Sequence, residues 1–278
     1  MRLRCPVCDH NGEIKGTDEF FETRGQWQGA PVRRCRGCGS GLIVRGLLRP
    51  KAEVIPDDLW ERMQASFDRA ASLKRGYAED RFDPRDAALE PAADRLDAEI
   101  EASPVDDYFA LILTSTAWGG YRALQLFCNT IESEGAADEP AADFLWAVEQ
   151  PAAAEAAVRA AAWILTIWTL GQHWPDRWQA AAGTAAAAMP VADESKPLLR
   201  ELGSLAVQCN SEQGDGSDLL RFNRLALEWL IGRATGQKPE KGQLLVSTMV
   251  WSECFISGSE AGRERLEELE QQNPEMVP

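Results

Sequence analysis

Apolar positions recur at two different periods along this chain, and the change falls near residue 50. Before it, short runs lie between glycines. Residues 19–24, 31–34 and 41–45 read as strands, with a turn over 25–29. After it, apolar residues come at every third or fourth position. Leu59, Met63 and Phe67 stand at i, i+4 and i+8 behind Pro56-Asp57-Asp58, which predicts a helix from 57 to about 75. Further helices are expected over 84–102, 104–132, 139–149, 152–171, 175–188, 195–209, 217–234, 241–257 and 260–271. Gly119-Gly120 marks a break or a close helix contact. Alanine-rich stretches at 152–162 and 180–188 favour helices packed closely on one another. No fixed repeat of 30 to 40 residues emerges.

The strand-rich head contains two knuckles, Cys5-Pro6-Val7-Cys8 and Cys35-Arg36-Gly37-Cys38. Four thiolates in two such pairs match the tetrahedral preference of zinc, and the stretch between them is long enough for a β-hairpin. One structural Zn²⁺ per chain is expected, held by Cys5, Cys8, Cys35 and Cys38. A closed four-sulfur site leaves no coordination position for a substrate, so the metal argues for structure and against catalysis. The fold class expected is therefore a small β zinc ribbon followed by a mainly α-helical bundle or irregular helical-repeat domain. Its domains are 1–51 for the ribbon, 57–272 for an all-α acidic body and 273–278 for a frayed tail, with a proline-flanked hinge over 46–56.

Charge separates the same two parts. Of the net −15, residues 1–51 contribute +5, from ten Lys/Arg against five acids. The remainder contributes −20, from nineteen Lys/Arg against thirty-nine acids. Four thiolates and one divalent cation would lower the head to about +3. Within the head, Arg33, Arg34, Arg36, Arg45, Arg49 and Lys51 form the candidate contact patch, with Trp27 available to stack on an unpaired base. Such a patch serves a protein partner, the chain's own acidic body, or nucleic acid read through the ribbon.

Residues 3–46 resemble a zinc ribbon, and among ribbons the N-terminal zinc module of MqsA-type antitoxins, which also opens on a Cys-Pro-Val-Cys knuckle. In that family the metal is structural and a separate helix-turn-helix binds DNA. The resemblance implies a structural role for the four cysteines and nothing more, because the body here is longer and carries no helix-turn-helix pattern.

The body offers no catalytic constellation. His173 sits at a helix boundary without a nucleophile motif, and Gly214-Asp215-Gly216 lacks the strand and lysine of a phosphate loop. Cys128, Cys209 and Cys254 fall among apolar residues and read as core. The acidic runs over 80–101 and 260–270 are interleaved with Arg, as on a solvated helix face. Trp174 and Trp178 are the aromatic pair expected to be exposed. No secretory leader is read at the N-terminus, and no apolar run reaches the roughly 20 residues of a membrane span. An odd number of cysteines suits a reducing compartment. These readings point to a cytoplasmic, non-enzymatic adaptor or regulatory subunit that binds a protein partner and no membrane. A nucleic-acid-binding subunit and an acidic toxin-neutralising or nucleic-acid-mimic protein are the alternatives.

Overall fold

A computed structural model describes residues 2–13, 21–27, 30–46, 50–61, 63–64, 85–134, 139–211, 214–240 and 243–277. The chain divides into two compact units: Met1–Phe82 with Asn129–Glu139, and Asp83–Cys128 with Pro140–Pro278.

In the first unit, β1 (Arg2–Arg4) pairs antiparallel with β2 (Asn11–Glu13) around the first knuckle. A second antiparallel sheet runs in the order β3 (Phe21–Trp27), β4 (Ala30–Cys35), β5 (Gly41–Arg45), β6 (Lys51–Val54), with the second knuckle joining β4 to β5. Two expectations are corrected here. The turn does not begin at Gly25. A bulge at Arg24, between Thr23 and Gly25, leaves the glycine paired with Val32, and β3 continues to Trp27 opposite Ala30. Nor are residues 51–54 part of a hinge, since they form β6 on β5, with Leu42 opposite Val54 and Arg45 opposite Lys51. The alternation of Lys51 and Glu53 with Ala52 and Val54 is a strand period, but a strand of four residues is too short to reveal it. Ala52 joins the head's core of Leu3, Cys5, Phe21, Cys35, Leu42 and Val44. Residues 57–61 and 63–64 are helical (α1), as expected behind Pro56.

The second unit is helical. It comprises α2 (Asp86–Glu101), most of α3 (Asp107–Glu134) and α4 (Glu139–Ala147), then α5 (Pro151–His173) and α6 (Trp178–Ala188). A 3₁₀ turn follows (Asp193–Ser195), then α7 (Lys196–Cys209), α8 (Gly216–Thr235) and α9 (Leu245–Gln272). The Gly214-Asp215-Gly216 loop is a helix start. The Asp215 carboxylate accepts from the Ser217 and Asp218 amides, and the Asp218 carboxylate accepts from the Asp215 amide.

Two expected helices, 241–257 and 260–271, are one. Gly258 does not break α9 because it serves as a contact instead. A Cβ on Gly119 would lie 2.5 Å from the Gly258 carbonyl oxygen and 3.1 Å from Gly262 Cα. On its other side, a Cβ on Gly120 would lie 2.6 Å from the Ala161 backbone. The Gly119-Gly120 pair therefore lets α3 approach α9 and α5 at backbone distance, and α3 runs through unbroken. Nearby, the Thr116 and Thr166 hydroxyls share a buried hydrogen bond of 2.8 Å between α3 and α5.

A chain of rings, Phe144, Phe127, Trp251, Phe255, Phe222 and Trp168, fills the interior with centroids 5.0–6.4 Å apart. Cys128 and Cys254 are buried and Cys209 is half-buried, as core cysteines should be. By length and hydropathy the 23-residue α5 meets the criterion for a membrane span, beyond what its apolar runs gave in the sequence. Two thirds of that window is buried against the rest of the protein, so α5 serves as a core helix.

The acidic runs carry pairs within and between helices, such as Arg263–Glu267 on α9 and Arg159 of α5 with Glu99 of α2. Asp97 on α2 departs from this pattern. Burial first, then the Glu101 and Asp94 charges, push its carboxyl up to about 6 against the opposing pull of Arg265. The folded protein thus holds a proton that the unfolded chain releases near pH 4. The stability this proton confers is full below about pH 4 and is lost as pH rises through 6. Asp97→Asn is expected to raise the melting temperature at pH 7 and to leave it nearly unchanged at pH 4. Thermal unfolding across pH 4–8 checks this, and an equal shift at both ends would refute it.

Candidate metal centre

The two knuckles are built alike. Cys5 N–H donates to the His10 carbonyl (2.8 Å) and Asp9 N–H to the Cys5 carbonyl (3.0 Å). Cys35 N–H donates to Ser40 (2.9 Å) and Gly39 N–H to Cys35 (2.7 Å) in the matching positions. The residue after the second cysteine turns left-handed in both, Asp9 at φ 59° and Gly39 at φ 81°. Gly39 adopts this conformation freely, whereas Asp9 is a non-glycine held there with its carboxylate 2.9 Å from the Arg4 guanidinium.

This geometry converges the sulfurs. Cys5 Sγ lies 3.7 Å from Cys38 Sγ and Cys8 Sγ lies 3.6 Å from Cys35 Sγ, with all four within 4.8 Å of one another. Sulfurs bound at about 2.3 Å around a tetrahedral centre stand about 3.8 Å apart, so the set fits a single metal ion. Cys5 and Cys35 are buried at the core side, and Cys8 and Cys38 face solvent. Ser40 Oγ is 3.3 Å from Cys38 Sγ, and this hydroxyl first of all draws the Cys38 thiol down to about 6. Cys8 goes the other way, to about 12. The His10 amide lowers it, but desolvation and the sulfurs of Cys38, Cys35 and Cys5 outweigh that bond. Four sulfurs this close cannot all ionise without a cation among them, which is the electrostatic case for a metal.

His10 stays outside the ligand set. Its ring covers Gly37, where a Cβ would come within 3.3 Å, and meets Phe21 edge-on at 6.2 Å. The sequence reading missed Trp60, which braces the second knuckle from α1. Its indole N–H donates to the Gly39 carbonyl at 3.1 Å. Its ring lies flat on Gly41, where any Cβ would sit 2.3 Å from it. The only sequence signal was a glycine at the first position of a strand.

The basic patch is divided by the sheet. In β4, Arg33 stands opposite Thr23 and Leu42, while Arg34 stands opposite Glu22 and Gly41, so adjacent arginines project from opposite faces. The Arg34 face also carries Arg45, Lys51 and Glu53, with Arg45 bonded to Glu53 at 3.1 Å. Arg33 is half-buried on the core face. Arg36 is exposed on the knuckle. Arg34, Arg36 and Lys51 have no ion pair among the described residues. Arg49 lies outside the described residues. Trp27 is placed by its backbone at the end of β3.

In the body, the expected aromatic pair is not exposed as such. Trp178 is buried, its ring lying where a Cβ on Gly203 would be, and Trp174 is half-buried, stacked on Phe109. His173 is exposed at the end of α5, edge-on to Trp174, with no carboxylate bonded to it among the described residues.

Comparison with protein-family models, with curated proteins and with solved structures gives no match.

Proposed function

We propose that the protein is a non-enzymatic adaptor or regulatory subunit of the cytoplasm. Its zinc ribbon docks on an acidic surface of a protein partner. The observation that carries this reading is the exposure of Arg34 and Arg36 beside a four-sulfur site and of Lys51 further along the same sheet. They are free of ion pairs among the described residues and interleaved with Glu22 and Glu53. A face of mixed sign suits a charge-patterned protein surface better than a uniformly negative phosphate backbone. Four protein sulfurs complete a tetrahedral coordination shell, which gives the metal a structural role, as the MqsA-type resemblance also implies. Zinc is the ion proposed, since it accepts four thiolates without redox chemistry. Seven free cysteines accord with a reducing compartment. The exposed His173, without a bonded carboxylate or a nucleophile beside it in sequence, gives no support to catalysis.

Two measurements test this reading. Elemental analysis of the purified chain should find one zinc per chain, and the visible charge-transfer colour of an iron–thiolate site would exclude zinc. Affinity capture of the tagged chain from its own cells, with and without nuclease, should return a protein partner that survives nuclease treatment. The triple change Arg34→Glu, Arg36→Glu, Lys51→Glu should abolish that capture. Undiminished capture by the triple variant would remove the ribbon as the interface. Loss of capture on nuclease treatment, with binding to duplex DNA falling at a log–log salt slope of about −3, would replace the adaptor with a nucleic-acid reader.

A further inference from the structure

Among the described residues of the helical unit, three cavities stand out. One of about 260 Å³ is rimmed by Arg159 and Arg233, and both guanidinium groups are already paired, with Glu99 and Glu194. Another of about 220 Å³, among α3, α5 and α9, has its Arg263 paired with Glu267 and a second carboxylate, Glu260, in its wall. Neither holds a cation left over for an anionic ligand. The third, of about 290 Å³, lies among α5, α6 and α7 and differs in three respects.

Its floor is apolar and aromatic, made of Trp163, Ile167, Trp178 and Leu199. Both indoles are fixed in place: Trp163 N–H donates to the Met189 carbonyl at 3.1 Å, and Trp178 rests on Gly203. Its rim carries two cations one helical turn apart on α7, Lys196 and Arg200. Lys196 is paired with Asp193 at 2.5 Å, whereas the Arg200 side chain has no bond or ion pair among the described residues. One unit of positive charge is therefore uncommitted at the mouth of an apolar hollow, on a part of the chain that is otherwise strongly acidic. Finally, Gly183 lines the hollow in the middle of α6, in a run of alanines. A Cβ there would meet nothing within 4 Å, so no neighbour requires the glycine, although alanine would favour the helix. The position keeps space open.

We propose that this hollow is a binding site for a small monocarboxylate with an aromatic or short aliphatic body. The body would stack on Trp163 and Trp178, and the carboxylate would be taken bidentately by Arg200. The volume lies at the small end for ligand pockets, which excludes large cofactors. A single uncommitted guanidinium matches one negative charge, and the surrounding acids disfavour a dianion such as a phosphate monoester.

The full chain is titrated calorimetrically with 2-naphthoate, with 2-naphthylmethanol and 2-naphthylmethylamine as neutral and cationic controls of the same body. Tryptophan fluorescence is followed in parallel. Saturable binding of 2-naphthoate is expected, at least tenfold tighter than the alcohol, with no binding of the amine. Arg200→Gln should remove that tenfold preference while leaving the melting temperature unchanged. Gly183→Leu should fill the hollow and abolish binding of all three, with the melting temperature maintained or raised. The proposal is overturned if 2-naphthoate does not bind, or binds the Gly183→Leu protein as it binds the wild type, or prefers neither charge.

Discussion

Removing the metal, or replacing Cys35 with Ser, is expected to unfold the head while leaving the far-ultraviolet circular dichroism of the helices nearly intact. Cys35 is, with Cys5, one of the two buried positions of the four. It ends β4 and is wholly buried, and its Sγ is 3.6 Å from that of Cys8. One core cluster of the head has six buried members among the described residues, and two of them, Cys5 and Cys35, are themselves ligands. A module of some fifty residues buries too little apolar surface to offset the entropy of ordering it. A structural four-cysteine site supplies roughly 10–16 kcal/mol of binding free energy, which enters the folding balance directly. The helical unit has its own interior and draws nothing from the metal. Hydrogen exchange should show the loss locally. The Asp9 and Gly39 amides, which close the two knuckles onto Cys5 and Cys35, should exchange at once after chelation, and the Trp60 indole N–H should lose its protection from the Gly39 carbonyl. Metal-free protein that retains slow exchange at these amides would mean that the sheet stands without the ion.

How much of this was legible in the sequence depended on whether a residue's role was set by local spacing or by a distant neighbour. The knuckles were legible, because two cysteines three apart in a tight turn form half of a tetrahedral site wherever the turn occurs. Most helices were legible from their apolar period, and Pro56, Pro151 and Gly236 punctuated them as caps and starts should. The strand β6 was not legible, since Ala52 meets the core only once Val44 is beside it, and Val54, opposite Leu42, stays exposed. Trp60 lay inside an expected helix without being singled out, and nothing in its neighbours announced Gly41 or Gly39 as its seat. The arginine block read as one patch because sequence adjacency does not say that Arg33 and Arg34 leave opposite faces of a strand. Trp178 read as exposed because the glycine that receives it, Gly203, is 25 residues further on.

The glycines of the helical unit carry the other large expected effect. Gly119→Ala should destabilise the helical unit by about 2–3 kcal/mol, and Gly119→Leu should prevent it from folding. Both changes improve intrinsic helix propensity, by up to about 1 kcal/mol, so any loss must come from packing. The contact is backbone on backbone. The new Cβ would stand 2.5 Å from the Gly258 carbonyl oxygen, which cannot rotate away as a side-chain tip could. Moving α9 outward would withdraw Trp251 and Phe255 from Phe127, Phe222 and Trp168, so the cost spreads into the ring cluster. Gly183→Ala provides the matched control. It is the same substitution in another helix, but with nothing within 4 Å of the added carbon, and it should raise stability by up to about 1 kcal/mol. For a unit of this size, 1 kcal/mol moves the melting temperature by about 2–4 °C, so the two alanine variants should shift it in opposite directions and differ by roughly 6 °C or more. Thermal unfolding followed at 222 nm measures this. Equal shifts of the same sign would mean that helix propensity governs both sites and that α3 and α9 do not meet at Gly119.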